Sequence, residues 1–353
     1  MARARAEGVD FLAARVAGAR GPLRIAGAGR RQDYGEPVAA EAALLETAPA
    51  AGIRAYEPAE LYVTVGAATS LAELDKVLRA EGQELAAEPL GGLDETVGGV
   101  HAVGLAGPRR LALGTLRDHV LGCQLIDGGG AVLDFGGTVI KNVAGYDVSR
   151  LQVGALGTLG LVTELSLRVR GLPPAELTTA LECSAAEALQ RANEALAKGM
   201  PVAATRWERG ELHLRLAGSE GAVRRARHEL GGEEVAGANE KIWEPLAQLK
   251  AERFAAAKKV WLCALPPLAE LPFDDLGLIE WAGARRWFFD DAPADVRGAV
   301  AAAGGQATCC RRPEGDDTPA FPTPAPVNLA IQRRLKEAFD PRGIFNPGRF
   351  GYL

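Results

Sequence analysis

Apolar positions along the first half of this chain fall into short runs that end at glycine. Leu23-Arg24-Ile25-Ala26 reads as a strand that enters the turn Gly27-Ala28-Gly29-Arg30-Arg31. Leu61–Val65 reads as another strand and leads through Gly66 to a helix over 71–81. Leu71, Leu74, Val77 and Leu78 share one face of that helix. Ser70 is placed to cap it and Gly82 to stop it. Val120–Ile126 and Ala131–Phe135 form two strands around Asp127-Gly128-Gly129-Gly130, which is a hairpin signal. Val162, Leu165, Leu167 and Val169 alternate with polar residues and mark a strand over 159–169.

At Gly171-Leu172-Pro173-Pro174 the glycine clusters stop and the rhythm changes. Strand 178–182, helix 185–197, strands 205–208 and 211–216, helix 222–230 and strand 234–235 give the βαββαβ order of a ferredoxin-like unit. A second, partial unit follows, with strand 259–265, strand 286–289, helix 294–303 and strand 306–309. No tandem repeat is visible. Residues 311–326 are rich in Pro, Asp and Thr and read as a loop. The final helix, 327–339, has Val327, Ile331, Leu335 and Phe339 on one side and ends at Asp340-Pro341.

With 353 residues the chain is long enough for two domains. A hydrophobic content of 48% and a charged content of 24% are ordinary for a globular protein. The net charge of −5 gives no bulk attraction to nucleic acid. The chain has no run of roughly 18 apolar residues, so no membrane-spanning helix is expected. The first ten residues are basic without a following apolar core, so no secretory signal is expected. Cys123, Cys183, Cys263, Cys309 and Cys310 are odd in number and contain no Cys-x-x-Cys pair, which predicts reduced thiols and no iron–sulfur cluster in this chain. Cys309-Cys310 has no nearby histidine, and adjacent cysteines are poor joint metal ligands.

Candidate chemistry lies in three glycine clusters. Gly27-Ala28-Gly29-Arg30-Arg31 could let backbone N–H groups converge on an anion, with arginine adding charge. It is not a Rossmann fingerprint, because Gly-x-Gly-x-x-Gly is incomplete, and it lacks the Gly-Lys-Ser/Thr of a Walker loop. Thr96-Val97-Gly98-Gly99 is the second cluster. The third runs from Gly136-Gly137-Thr138 through Lys141-Asn142-Val143-Ala144-Gly145-Tyr146-Asp147 to Gly154-Ala155-Leu156-Gly157-Thr158-Leu159-Gly160. Three such loops in one domain favour a long ligand with a pyrophosphate and a ring system. Taken singly, Lys141 reads equally as a surface charge, Asn142 as a cap, Tyr146 as a core aromatic and Asp147 as a turn-former.

Arg109-Arg110…Gly114…Arg117-Asp118-His119-Val120-Leu121-Gly122, then Gly136-Gly137…Lys141-Asn142-Val143-Ala144-Gly145-Tyr146-Asp147, resembles FAD-linked oxidases of the vanillyl-alcohol oxidase type. More narrowly it looks like the FAD-binding E subunits of bacterial glycolate oxidase (glycolate dehydrogenase). The run Phe339-Asp340-Pro341-Arg342-Gly343-Ile344-Phe345-Asn346-Pro347-Gly348-Arg349 is also similar to that superfamily. The resemblance covers nearly the whole chain. It implies an α+β fold: a PCMH-type FAD-binding domain of two subdomains over 1–172, a short ferredoxin-like cap over 173–325, and a helix and tail over 326–353 that return to the FAD domain.

The same resemblance implies site roles. Gly27, Ala28, Gly29, Arg30 and Arg31 would meet the pyrophosphate. Thr96, Gly98 and Gly99, with Asp118 and Val120, would line the pyrophosphate and ribityl region. Gly154, Gly157, Thr158 and the stretch from Gly160 to Val162 would hold the ribityl and adenine parts. Lys141, Asn142 and Tyr146 would lie near the flavin end, without individual roles.

Two departures from the resemblance bear on chemistry. Many covalent flavoproteins of this superfamily carry a flavin-linked histidine in the first loop, and Gly27-Ala28-Gly29-Arg30-Arg31 has none, so non-covalent FAD is expected. The larger paralogous subunits have a His-x-His motif in the cap that binds metal and a 2-hydroxy acid. Here the histidines are only His101, His119, His213 and His228. His213, on the strand 211–216, reads as a solvated or packed histidine, so no metal site and no catalytic residue is assigned. The implied role is a flavin-bearing subunit of a glycolate dehydrogenase that relays electrons. Its partners would be the larger paralogous FAD subunit and an iron–sulfur subunit. Glycolate, or a similar 2-hydroxy acid, would be the substrate of the complex. The implied location is cytoplasmic, with any peripheral attachment to the inner face of the cell membrane made through partners. A structural FAD subunit that never turns over, and a stand-alone FAD oxidoreductase for another 2-hydroxy acid or an alcohol, are the alternatives.

Overall fold

The computed structural model describes residues 7–139 and 145–353. The chain divides into two compact units. One comprises Met1–Leu105, Thr115–Gly171 and Thr323–Leu353; the other comprises Ala106–Gly114 and Leu172–Pro322.

The first unit has two layers of structure. Helix α1 (Glu7–Ala17) covers a parallel pair, β1 (Leu23–Ala26) and β2 (Ala43–Glu46). Val9, Leu12, Val16, Leu23 and Leu45 form its core with Ile344 and Phe345 from the chain's end, and Leu23 bridges Phe345 in parallel. The second part is a six-stranded antiparallel sheet. Strands β3 (Ile53–Glu57), β4 (Tyr62–Gly66), β6 (Val120–Ile126), β7 (Val132–Gly136) and β8 (Leu161–Gly171) run in the order β3-β4-β8-β6-β7, and β5 (Gln83–Leu85) pairs with the far end of β8.

Helix α2 (Leu71–Ala80) begins where its sequence predicts, with the Ser70 hydroxyl accepting from Glu73 N at 3.1 Å. It buries Leu71, Leu74 and Leu78 against Val63, Val65, Leu165 and Leu167 of the sheet. Helix α3 (Val97–Val103) follows the second glycine cluster and is capped by Thr96. The hairpin β6–β7 is present, and Gly136 at its end has φ +72° with a Cβ position only 2.3 Å from Leu121 O, so glycine is required there.

The second unit holds an eight-stranded antiparallel sheet. Its first half contains β9 (Ala175–Glu182), α4 (Ala185–Ala197), β10 (Val202–Glu208), β11 (Glu211–Gly218), α5 (Glu220–Leu230) and β12 (Glu233–Glu234), in the order β12-β9-β11-β10. This is the ferredoxin-like order the sequence predicts. The partial second unit is completed by β13 (Val260–Ala264), β14 (Leu278–Glu280), β15 (Arg285–Phe288), α6 (Val296–Ala302) and β16 (Gln306–Arg311), ordered β14-β15-β13-β16. The second half thus repeats the first in reverse across the β10–β14 seam, where Arg206 faces Glu280 and Trp207 faces Ile279. No sequence repeat signals this doubling, because a short turn of helix at Asp274–Leu276 stands where the first half has α4.

Residues 106–114 fall in the second unit although they precede β6 in sequence. Trp281 explains this placement. Its Nε1 donates to Gly107 O at 3.0 Å, and its ring is stacked by Arg285 at 3.8 Å and Arg110 at 4.7 Å. Trp243, Trp261, Trp287, Phe288 and Phe289 are buried in this unit and offer no exposed aromatic pair.

The C-terminal helix, Pro326–Phe339, forms where the sequence predicts it. Its apolar stripe is not a buried face: Val327 is 70% and Ile331 51% exposed, and no residue of the helix is buried. A lysine fastens it instead. Lys336 Nζ donates to Thr158 O at 2.7 Å and to Phe345 O at 3.0 Å, and pairs with Asp340 at 2.6 Å.

Candidate functional site

An open cleft lies within the first unit. Its walls are the loop after β1, the start of α3, the segment 152–162, and two residues of the C-terminal tail, Asn346 and Arg349.

The loop Gly27–Asp33 leaves β1 with Gly29 at φ +71°. Among the described residues, no backbone N–H from Gly27 to Asp33 donates to a protein acceptor. Backbone donors are costly to leave unpaired, so a run of them beside a cleft is a ready site for an anion. The glycines allow the loop and α3 to meet. A Cβ on Gly27 would lie 2.5 Å from Thr96 Oγ1, and one on Gly98 would lie 2.8 Å from Ala67 Cβ and 2.9 Å from Ala67 O. Thr96 Oγ1 also accepts from Gly99 N at 3.1 Å, so the contact fixes the start of α3.

The arginines of the loop are not free counter-charges. Arg31 pairs with Glu95 through two contacts of 2.8 Å and donates to Leu90 O at 2.6 Å. Arg30 pairs with Asp94 at 2.9 Å on the surface. The turn therefore presents its backbone N–H groups to the cleft, with the side-chain charge of Arg31 already matched by a carboxylate.

Two buried polar atoms beside the cleft lack partners. His101 Nε2 and Gln152 Nε2 make no hydrogen bond, and both residues are in the lining. Burial pulls the His101 pKa down to about 4, partly offset by a backbone hydrogen bond at Ser149, so the ring is neutral. Unmatched buried groups of this kind cluster where a ligand or a water belongs.

The cleft gathers Gly27, Ala28, Gly29, Arg30, Arg31, Thr96, Gly98, Gly99, Gly157, Gly160 and Val162. Other residues named from the sequence lie outside its lining. Asp118 closes a capping box with Thr115, accepting from Thr115 N at 2.8 Å. Val120 is buried in the sheet core. Gly154 donates its N–H to His101 O at 3.1 Å. Thr158 bonds Ala155 O through its hydroxyl. Tyr146 is 94% exposed. Lys141 and Asn142 lie outside the described residues. His101, Gln152, Asn346 and Arg349 also line the cleft, and sequence reasoning does not place them there. For the last two a signal exists, since both sit in the C-terminal run that carries the family resemblance.

His213 is packed, not presented to solvent. It lies between Arg206 Nη1 at 3.3 Å and Glu211 at 3.4 Å, and burial followed by the Arg206 charge lowers its pKa to about 4. Among the described residues no three His, Cys, Asp or Glu side chains are arranged to hold a metal. None of the five cysteines is in a disulfide, and burial raises Cys123 to about 11 and Cys263 to about 12, so neither is a thiolate at neutral pH. No described helix is long and apolar enough to cross a membrane.

Residues 8–150 match an FAD binding domain family, and residues 323–350 match the C-terminal domain of FAD linked oxidases. The chain is 40% identical over 333 residues to glycolate oxidase subunit GlcE of Escherichia coli K12, covering 93% of this chain and 92% of that one. It is 32% identical to a D-lactate dehydrogenase of Archaeoglobus fulgidus over 42% of this chain and 38% of the relative. It is 40% identical to glycolate oxidase subunit GlcD of Bacillus subtilis over 24% of this chain and 18% of the relative. Two crystal structures of alkyldihydroxyacetonephosphate synthase superpose with TM-scores of 0.70 and 0.71 at 14% identity, covering 98% of this chain and 76% of theirs, and so share its fold. The glycine-cradled cleft, the FAD domain match and the near full-length similarity agree: this chain is an FAD-linked oxidoreductase and belongs to the GlcE family of glycolate oxidase subunits.

Proposed function

We propose that this chain is the E-type FAD subunit of a multi-subunit glycolate-oxidising complex, with FAD held non-covalently. The observation that carries the cofactor reading is the run of unpartnered N–H groups from Gly27 to Asp33 at the wall of the cleft. That run suits a pyrophosphate, and the segment 156–162 extends the cleft for a longer molecule. The lining supports non-covalent binding: among the described residues it holds no cysteine or tyrosine, and its one histidine, His101, is buried.

FAD supplies the ability to accept two electrons at once and release them singly. The chain's own groups bind and orient it. Loop amides would take the pyrophosphate, Gly98 and Gly99 permit close approach, and Asn346 fastens β1 to the segment 152–162 by accepting from Ile25 N and donating to Leu156 O. The electrons would leave for an iron–sulfur partner, since the five cysteines here are scattered. Oxidation of glycolate to glyoxylate would fall to the larger paralogous flavin subunit, because His213 is locked between Arg206 and Glu211. Any attachment to the inner face of the cell membrane would be made through those partners.

The test begins with the full chain loaded with FAD. Acid precipitation should release all flavin to the supernatant. Anaerobic glycolate should leave the flavin of the isolated chain oxidised, and should bleach it once the partner subunits are restored. Rapid bleaching of the isolated chain by glycolate or D-lactate would overturn the relay assignment and favour a self-sufficient enzyme. Failure of this flavin to be reduced even in the complex would favour a structural cofactor.

A further inference from the structure

Arg349 is 5% exposed, lines the cleft, and is absent from the residues that sequence or resemblance assigns to it. Its guanidinium donates to three backbone carbonyls of the first loop: Nη2 to Arg31 O at 2.6 Å, and Nη1 to Gln32 O at 2.8 Å and Glu36 O at 2.9 Å. The backbone answers, with Glu36 N donating to Arg349 O at 2.9 Å. In a trans peptide the C=O and the following N–H point in opposite directions. Drawing the Arg31 and Gln32 carbonyls onto Arg349 therefore turns the Gln32 and Asp33 N–H groups away from it. Those two amides belong to the run that finds no protein acceptor.

We propose that Arg349 is a positioning residue for the cofactor: it holds the loop 27–36 by its carbonyls and so fixes the direction of the amides that meet the pyrophosphate. This rests on the cleft being the FAD site. Other contacts also hold the loop. Tyr34 N bonds back to Arg31 O at 3.3 Å, Gln32 Nε2 reaches Ile25 O at 3.4 Å, and Arg31's own side chain is tied to Glu95 and Leu90. One cation from the far end of the chain, 318 residues from Arg31, thus organises the backbone of the binding turn.

Arg342 provides the control. It comes from the same tail but fastens elsewhere, donating to Gly128 O at 2.7 Å and to Val16 O at 2.6 Å, and it does not line the cleft. FAD affinity of the full chain is measured by flavin fluorescence, beside the thermal midpoint of the apo-protein, for wild type, R349M, R349K and R342M. R349M should weaken FAD binding roughly thirtyfold and R349K roughly tenfold, because lysine keeps the charge and loses the fork. Guanidinium ion at millimolar concentration should restore affinity to R349M. R342M should lower the apo midpoint and leave affinity within about threefold of wild type. Affinity of folded R349M or R349K within threefold of wild type overturns the inference. So does an equal loss in R342M, which would mean general undocking of the tail. Wild type that does not bind FAD would overturn the cofactor reading itself, and this inference with it.

Discussion

Glycine at position 27 is fixed by what a methyl group would strike. Thr96 Oγ1 lies 2.5 Å from the place an alanine Cβ would take, and that oxygen already caps α3 through Gly99 N. Gly27→Ala should therefore destabilise the protein by about 1–3 kcal/mol. Thr96→Ala alone should cost about 1 kcal/mol through the lost cap. The two side chains share one space, so the double variant should lose less than the sum, read from denaturant unfolding of all four proteins. The same scale carries a pH dependence. His101 is neutral in the fold, with a pKa of about 4 against an ordinary 6.5. Between those values the unfolded chain binds the proton and the fold does not, so stability rises with pH across that window and is lost on acidification. The full effect is of order 3 kcal/mol. His101→Leu should lessen the slope of apo-protein stability between pH 4 and pH 6.5 and leave the share that His213 contributes, and an unchanged slope would mean that His101 does not set it.

At the scale of elements, β14 shows what a three-residue strand can carry. Glu280 on it is fully buried, pairs with Arg285 at 2.6 Å and accepts from Trp287 Nε1 at 2.5 Å. Glu280→Ala would leave Arg285 buried without its carboxylate and should cost about 3–5 kcal/mol, measured by urea unfolding. The C-terminal helix gives the opposite lesson. Its exposed Val327 and Ile331 should tolerate serine within about 0.5 kcal/mol. Lys336→Met should cost more, because it leaves Asp340 without its cation and frees two carbonyl contacts. These two elements also mark where sequence stops being legible. The helix itself is plain from its periodicity, as are α2, α4 and the β6–β7 hairpin, since each declares itself through local spacing and caps. Its apolar stripe misleads, because apolar residues at helical spacing do not say whether a neighbour covers them. Strand β14 is hidden because three residues make no period, and its identity comes from pairing with β10 and β15. The turn Gly27–Arg31 is legible as a glycine turn, and it lines the cleft, while the neutralisation of Arg31 by Glu95, 64 residues away, is not legible.

For the whole molecule, the cleft draws on four distant stretches of chain, and the last of them lies within a few residues of the C-terminus. Each stretch is held by bonds to another: Asn346 to Ile25 and Leu156, Arg349 to the first loop, Lys336 to Thr158, and Gly154 N to His101 O of α3. Local sequence cannot display such closure, which is why the glycine clusters are visible there and the residues that brace them are not. A cavity assembled this way should stiffen as a unit when its ligand arrives. Binding to the folded state alone stabilises by about 2.7 kcal/mol at a hundredfold excess over Kd. Hydrogen exchange of the full chain with and without FAD should localise that gain. Amides of residues 27–33, which have no protein acceptor, should show the greatest new protection, followed by 97–103, 152–162 and 346–349. Strands β9 to β12 of the second unit supply no residue to the lining and should change least. Protection that rose evenly across both units would indicate global stabilisation in place of loop ordering. If residues 27–33 stayed unprotected while FAD remained bound, their amides could not be the groups that hold it.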